Sequence, residues 1–152
     1  MTTYPPPPPT PGHYGPGSGP RANFGQRLVA AIVDAVVLAV PTVILELALR
    51  PAGGFIALVV GVGYYGWLEG SASGQTVGKR AMGIRVYDLR AGGSIGTGRA
   101  IGRYFAKIVS AIPCLLGYFW MLWDRERQTW HDKLVGSVVV PVTAYPVESW
   151  PN

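Results

Sequence analysis

At 152 residues the chain has room for one modest domain. Charged residues make up only 14% and apolar ones 49%, against roughly 25% charged in a soluble domain, so a membrane protein or an unusually dry interior is expected. The net charge of +5 must be located before it means anything, and the single cysteine, Cys114, excludes an intrachain disulfide and any multi-cysteine metal site.

Residues 1–22 read as a proline- and glycine-rich tail. Eight of the first twenty residues are proline, with no basic start and no early apolar core, so a signal peptide is not expected. Such a segment cannot bury a core and is expected to be disordered, with Pro5–Pro9 extended as polyproline II. Residues 4–11 serve either as a docking strip for a proline-reading partner or as a solvated tail.

A first apolar helix is expected over about 27–49, long enough at about 1.5 Å per residue to cross a bilayer. "RPAGG" (50–54) breaks it, and a second helix is expected over about 55–69, making an antiparallel hairpin. Ala31, Ala35 and Ala39 on the first helix and Gly66/Gly70 on the second offer close approach. Tyr64, Tyr65 and Trp67 mark an interface. The loop from Glu69 to Arg99 carries Lys79, Arg80, Arg85, Arg90 and Arg99, whereas the hairpin turn carries only Arg50. Positive charge therefore places the loop and the N-terminus in the cytoplasm, in a multi-pass protein of the cell membrane.

A third element covers about 99–123. Arg99, Arg103 and Lys107 fall at i, i+4 and i+8 and form a basic stripe suited to an anionic leaflet. Pro113 interrupts the pattern and leaves ten residues, too few to cross. Two strand-like runs, 83–88 and 136–142, are expected to pair, which requires both on one side of the membrane. Two spans plus a bent third element are therefore preferred to three plain spans. The fold class is an all-α membrane protein with a small cytoplasmic β element, the domain covering 23–142 and a C-terminal tail 143–152.

Asp34 costs roughly 2.5–3.5 kcal/mol at bilayer depth and must face protein or water. Arg27 lies on the same face but leans away from it, so Arg27 is expected to reach headgroups, and Asp34 to find Arg103, Lys107 or the rim near Tyr64 and Tyr65. Asp34 then acts either as a proton or cation carrier or as half of a lock between helices. "SGQTVGKR" fails as a phosphate loop, because residue 73 is serine and residue 80 arginine. A turn opening an interfacial helix explains its glycines, with Lys79 and Arg80 at headgroup phosphates. His131 and Asp132 are neighbours on a helix and do not face each other, so a local polar network is expected, not a catalytic dyad. No enzyme, cofactor, metal site or nucleic-acid interface is expected.

In order and at spacing, these residues resemble the RDD family of small membrane proteins, named for one arginine and two aspartates. Arg27 and Asp34 match the first helix of that family, and "GQTVGKRAMGIRV" matches its glycine-rich signature through Gly74, Gln75, Thr76, Gly78, Lys79, Gly83 and Val86. "WHDKLVGSVVV" supplies His131, Asp132 and Gly136, with Asp132 as the second named aspartate, and Arg103 matches an arginine at the head of the third element. The likeness covers about residues 22–140, and Ser137 stands where threonine is more usual. The resemblance implies a multi-pass membrane protein that transports a small ligand or cation. A core this small needs a homo-oligomer for a pore, with Arg27, Asp34, Arg103 and Lys107 as its intramembrane charges. The competing expectation is a membrane adaptor that recruits partners through its proline-rich tail.

Overall fold

The computed structural model describes residues 19–113 and 115–145. The proline run, Cys114 and the last seven residues lie outside the described residues. The element order is α1 (Phe24–Ala48), α2 (Gly53–Gly70), α3 (Val77–Ala81), β1 (Ile84–Asp88), α4 (Thr97–Ala111), α5 (Leu116–Phe119), α6 (Trp130–Val135) and β2 (Ser137–Pro141).

α1 begins three residues earlier than its apolar run because Asn23 caps it. The Asn23 side chain accepts from Gln26 N at 2.8 Å, and the Gln26 side chain accepts from Asn23 N at 3.0 Å. Two helix-start donors are thereby satisfied. Pro41 sits inside α1, and Thr42 turns its hydroxyl back onto Leu38 O at 2.7 Å. α2 returns antiparallel to α1. Gly53 at its start lies against Glu46 of α1, but Gly61, Gly66 and Gly70 face another helix. A Cβ on Gly61, Gly66 or Gly70 would lie within 3 Å of Tyr104, Ile101 or the Thr97 backbone. The glycine face of α2 therefore seats α4, while Ala31, Ala35 and Ala39 of α1 are exposed.

The third element bends. The axes of Thr97–Ala111 and Leu116–Leu122 differ by 112°, and Leu115 takes a left-handed conformation (φ 63°) just after Pro113. The chain then returns to where α4 began, since Arg99 Nε donates to Val135 O at 2.9 Å. A third full crossing would have separated residues 99 and 135 by the length of the helices.

β1 and β2 pair antiparallel, with Val86 opposite Val139 and Asp88 opposite Ser137. One face of this ribbon (Ile84, Val86, Val139) packs on Ala22, Ala30 and Ala100, and the other (Val138, Val140) is covered by Tyr87 and Tyr145. Tyr145 thus belongs to the folded unit, beyond the boundary expected at residue 142. The ribbon closes the end of the molecule where α1 starts and α2 finishes.

The distribution of polarity is inverted relative to a soluble domain. Asp34, Glu69, Lys79, Arg103 and Asp132 are buried, while Ile32, Val36, Val40, Ile44, Leu47, Phe55, Val59, Ile108 and Ile112 are exposed. Contiguous apolar exposure on this scale marks a membrane or partner surface. Among the described residues, α1 is the helix long and apolar enough to cross a membrane, and only 11% of its apolar window is buried, which sets it apart from a soluble core helix. α2 has 18 residues, among them Tyr64, Tyr65, Glu69 and six glycines, and does not pass as a crossing helix by itself. α4 with α5 passes the same test only as a bent pair.

Candidate functional site: a buried ionic chain beside a basic cavity

Three carboxylates are buried between the helices, and each is held differently. Asp34 on α1 accepts from Tyr64 Oη (2.8 Å) and Gly78 N (2.8 Å) on one oxygen and from Thr76 Oγ1 (2.6 Å) on the other. All three donors are neutral. Thr76 also caps α3, accepting from Lys79 N at 3.3 Å, so one hydroxyl joins the start of α3 to α1. Gly78 is required by this contact, because a Cβ there would stand 2.0 Å from the carbonyl oxygen of Ala30. Gly74 and Gly83 adopt positive φ (61° and 62°) on either side of α3, which glycine does without strain.

Glu69, at the end of α2, receives three cations. Lys79 Nζ (2.7 Å) and Lys107 Nζ (2.9 Å) share its Oε1, and Arg103 Nη1 (2.5 Å) takes Oε2. Arg103 continues to Asp132, donating from Nε at 2.9 Å and from Nη2. Asp132 is also bound by Arg27 and accepts from Thr129 N at 3.1 Å, completing the cap of α6. A chain of charges thus runs from Lys79 and Lys107 through Glu69, Arg103 and Asp132 to Arg27. Arg103 is 1% exposed, and its planar fork suits a bridge between two carboxylates.

Burial raises the Asp132 carboxyl, but Arg27 and Arg103 outweigh it and hold the group well below the usual carboxylate range. His131 is buried beside it. One ring nitrogen is 2.9 Å from Thr129 Oγ1 and the other 3.3 Å from Ser110 Oγ, and the Tyr118 ring lies 5.0 Å away. Burial pushes the imidazole well below its ordinary value against the pull of Asp132.

The sequence-derived site residues are brought together, but not as expected. Arg99, Arg103 and Lys107 do share one helix face, yet that face turns inward to Asp88, Glu69 and Asp132 and not to a leaflet. Arg27 does not reach headgroups; it closes on Asp132 and donates to Arg127 O at 3.0 Å. Lys79 is buried on Glu69, while Arg80 beside it is exposed. Of the partners considered for Asp34, Tyr64 is the one used. The residue that sequence reasoning missed is Glu69, read there only as a loop acid. Its signal is its position, an acid directly after the apolar "GWL" with the basic loop following.

Beside the chain of charges lies a cavity of about 330 Å³, between α1, α4 and the α5 segment. Its lining combines Arg27, Lys79, Arg103 and Lys107 with the apolar Leu28, Ala31, Leu115, Phe119 and Met121. Phe24 and Phe119, both in its lining, stack at 5.6 Å. Among the described residues no His, Cys, Asp and Glu cluster could hold a metal ion.

Such an arrangement, with ionic groups inside and apolar groups outside a long exposed helix, defines a small helical protein of the membrane type. The chain belongs to the RDD family, which it matches over residues 21–136 and which comprises small membrane proteins. It is 37% identical over 78 residues to the "Proline-rich antigen" of Mycobacterium leprae, covering 51% of this chain and 31% of that one. The "Proline-rich antigen homolog" of Mycobacterium tuberculosis is 36% identical over 78 residues, covering 51% and 32%. The chain therefore spans about a third of the length of these relatives. "Uncharacterized protein YxaI" of Bacillus subtilis is 28% identical over 148 residues, covering 78% of this chain and 96% of that one. No solved structure matches.

Proposed function

We propose that this chain is a membrane-embedded scaffold and not a carrier of cations. In this reading α1 and α2 cross the bilayer as a hairpin, α4 and α5 enter it and return, and the ribbon lies on the cytoplasmic side with the N-terminus. The proline-rich residues 4–11 are thereby held at the membrane surface for a proline-reading partner. The orientation is supported by charge: basic residues gather at the ribbon end, whereas the hairpin turn has only Arg50. The names of the mycobacterial relatives record a proline-rich composition in those proteins. Neither catalysis nor nucleic-acid binding is assigned.

One observation carries the choice. All six oxygens of Asp34, Glu69 and Asp132 already accept hydrogen bonds from this chain. A carrier needs a carboxylate that can exchange a proton for a cation. Asp34 would have to release Tyr64, Thr76 and Gly78 together, and Glu69 and Asp132 would have to release arginine or lysine. Proton-coupled transport by a homo-oligomer, the reading implied by the family resemblance, finds no open carboxylate among Asp34, Glu69 and Asp132. The scaffold reading makes Asp34 a lock between α1, α2 and α3.

The test is reconstitution of the full chain in liposomes containing a pH-sensitive dye, with imposed sodium or potassium gradients. Wild type is expected to match protein-free vesicles, and Asp34→Asn to lower thermal stability in detergent without changing flux. A cation-driven pH change in wild type, lost in Asp34→Asn while the helical circular dichroism signal persists, would overturn the scaffold in favour of the carrier. Binding to a panel of proline-reading domains, abolished by deleting residues 1–20, is expected of the tail. Equal binding without the tail would remove recruitment from the proposal.

A further inference from the structure

We infer that the cavity between α1, α4 and α5 is a seat for an anionic amphiphile, with a phosphate or carboxylate head against Lys79, Lys107 and Arg27 and its acyl chain leaving between Leu28, Leu115 and Phe119. The charge count comes first. The cations around the cavity are Arg27, Lys79, Arg103 and Lys107, and the acids at or behind its wall are Asp34, Glu69 and Asp132, so one positive charge is left over. Asp34, bonded to neutral donors, keeps its negative charge at the wall and is included in that count.

The donors come second. An ammonium has three N–H groups. Lys79 and Lys107 each give one to the same oxygen of Glu69, at 2.7 and 2.9 Å, and otherwise meet the face of the Tyr65 ring. Both residues line the cavity, so unspent donors and unspent charge occur at one place. Shape comes third. The lining is apolar as well as basic, and its Leu28, Leu115 and Phe119 are 47%, 48% and 38% exposed. A free inorganic anion would use only half of such a site. A headgroup with an acyl chain uses both halves, and basic pockets among membrane helices commonly take anionic headgroups. The inference is independent of whether the chain transports.

The experiment is a melting series on the purified full chain in an uncharged maltoside detergent, with phosphatidylglycerol, palmitate, phosphatidylcholine or inorganic phosphate added separately. Phosphatidylglycerol or palmitate is expected to raise the melting temperature in a saturable way, and phosphatidylcholine and inorganic phosphate are not. Whichever of the first two acts at lower concentration identifies the source as membrane phospholipid or free fatty acid. Lys107→Met leaves Glu69 paired with Lys79 and Arg103, and should weaken the effect by about tenfold or more in apparent affinity. Ala31→Trp fills the exposed mouth without touching the ionic chain, and should abolish the effect while the unliganded melt stays cooperative. Arg125→Gln removes a positive charge from an exposed loop and should change nothing. An equal shift from inorganic phosphate, an undiminished shift in Ala31→Trp, or no shift from any probe would each overturn the seat.

Discussion

Asp34 and Asp132 are both fully buried, yet they are held by opposite means. Asp34 is met by a tyrosine hydroxyl, a threonine hydroxyl and a backbone amide. Asp132 is met by two guanidinium groups and the amide that starts α6. Neutral donors are directional and local, so they fix where α3 touches α1 and α2. Charged donors act over longer range and join elements distant in sequence, here α1, α4 and α6, with Glu69 extending the chain to α2. The first corner depends on shape and the second on balance. Removing one member of a balanced buried set leaves its partner charged and unpaired, which costs more than the pair itself contributes.

That comparison is broken most severely at Arg103. Arg103→Met leaves Glu69 with two lysines and Asp132 with Arg27, and should destabilise the protein by about 3–5 kcal/mol in denaturant unfolding from detergent micelles. Arg103→Lys keeps the charge but cannot reach both carboxylates as a fork, so it should recover only part of the loss. A loss below about 1 kcal/mol for Arg103→Met would mean that water or lipid, not Arg103, balances the two acids.

At the Asp34 corner the expected effects are smaller. Asp34→Asn preserves shape but loses charge-assisted acceptance, at a cost of about 1.5–3 kcal/mol with the fold retained. Gly78→Ala drives a methyl group into the Ala30 carbonyl, 2.0 Å from where it would stand. Because the obstacle is backbone it cannot rotate away, and a loss of about 1–3 kcal/mol is expected. Since Gly78 N donates to Asp34, the double variant should cost clearly less than the sum of the two single changes. Strict additivity would show that the corner is not one unit.

Much of this was legible in the sequence, and the remainder has identifiable causes. The hairpin, the bend at Pro113 and the pairing of 83–88 with 136–142 follow from apolar length, proline and β-branched runs, which are local signals. Of the residues that the RDD resemblance selected, Arg27, Arg103, Lys79 and Asp132 fall in one chain of ion pairs through Glu69, whereas Asp34 stands apart on neutral donors. What failed was direction. Arg99, Arg103 and Lys107 read as a basic stripe, but periodicity says only that residues share a face, not what that face meets. Glu69 was overlooked because an acid after an apolar run looks like the start of a loop. It becomes a hub only when α3, from the loop, and α4 both fold back on it. The α2 glycines show the same limit: G-x-x-x-G permits close approach but does not name the partner, which is α4.

His131 sharpens the comparison through pH. In the unfolded chain its value is the ordinary 6.5, and in the fold burial lowers it well below that. Between these two values the unfolded chain binds more protons, so the stabilisation is present above about pH 6.5 and is lost as pH falls through that range. The slope should approach but not exceed about 1.4 kcal/mol per pH unit for one proton. Asp132 is lowered too, so its contribution has the same sign but falls away only as pH drops below its ordinary 3.8. Melting between pH 5 and 6 therefore reads chiefly the histidine, and His131→Phe should flatten that window. An unchanged slope in the variant would place the titrating group elsewhere.

The smallest effect is expected where a charge pair lies outside both corners. Lys133 and Asp124 form an ion pair next to α6, but the lysine side chain is 43% exposed. Solvent screens such a pair, and holding a long side chain in one geometry costs rotamer entropy, so Lys133→Ala should change stability by about 0–1 kcal/mol. Asp124 keeps its other role in the variant: its carboxylate still accepts from Glu126 N at 3.2 Å and Gln128 N at 3.0 Å, shaping the turn before α6. Whatever loss Lys133→Ala shows should fade at high salt, while the loss in Arg103→Met should persist, because added ions reach an exposed pair and not a buried one. If both losses respond to salt alike, the Glu69–Arg103–Asp132 chain is open to water, and the contrast between a sealed ionic chain and a solvated surface pair is lost.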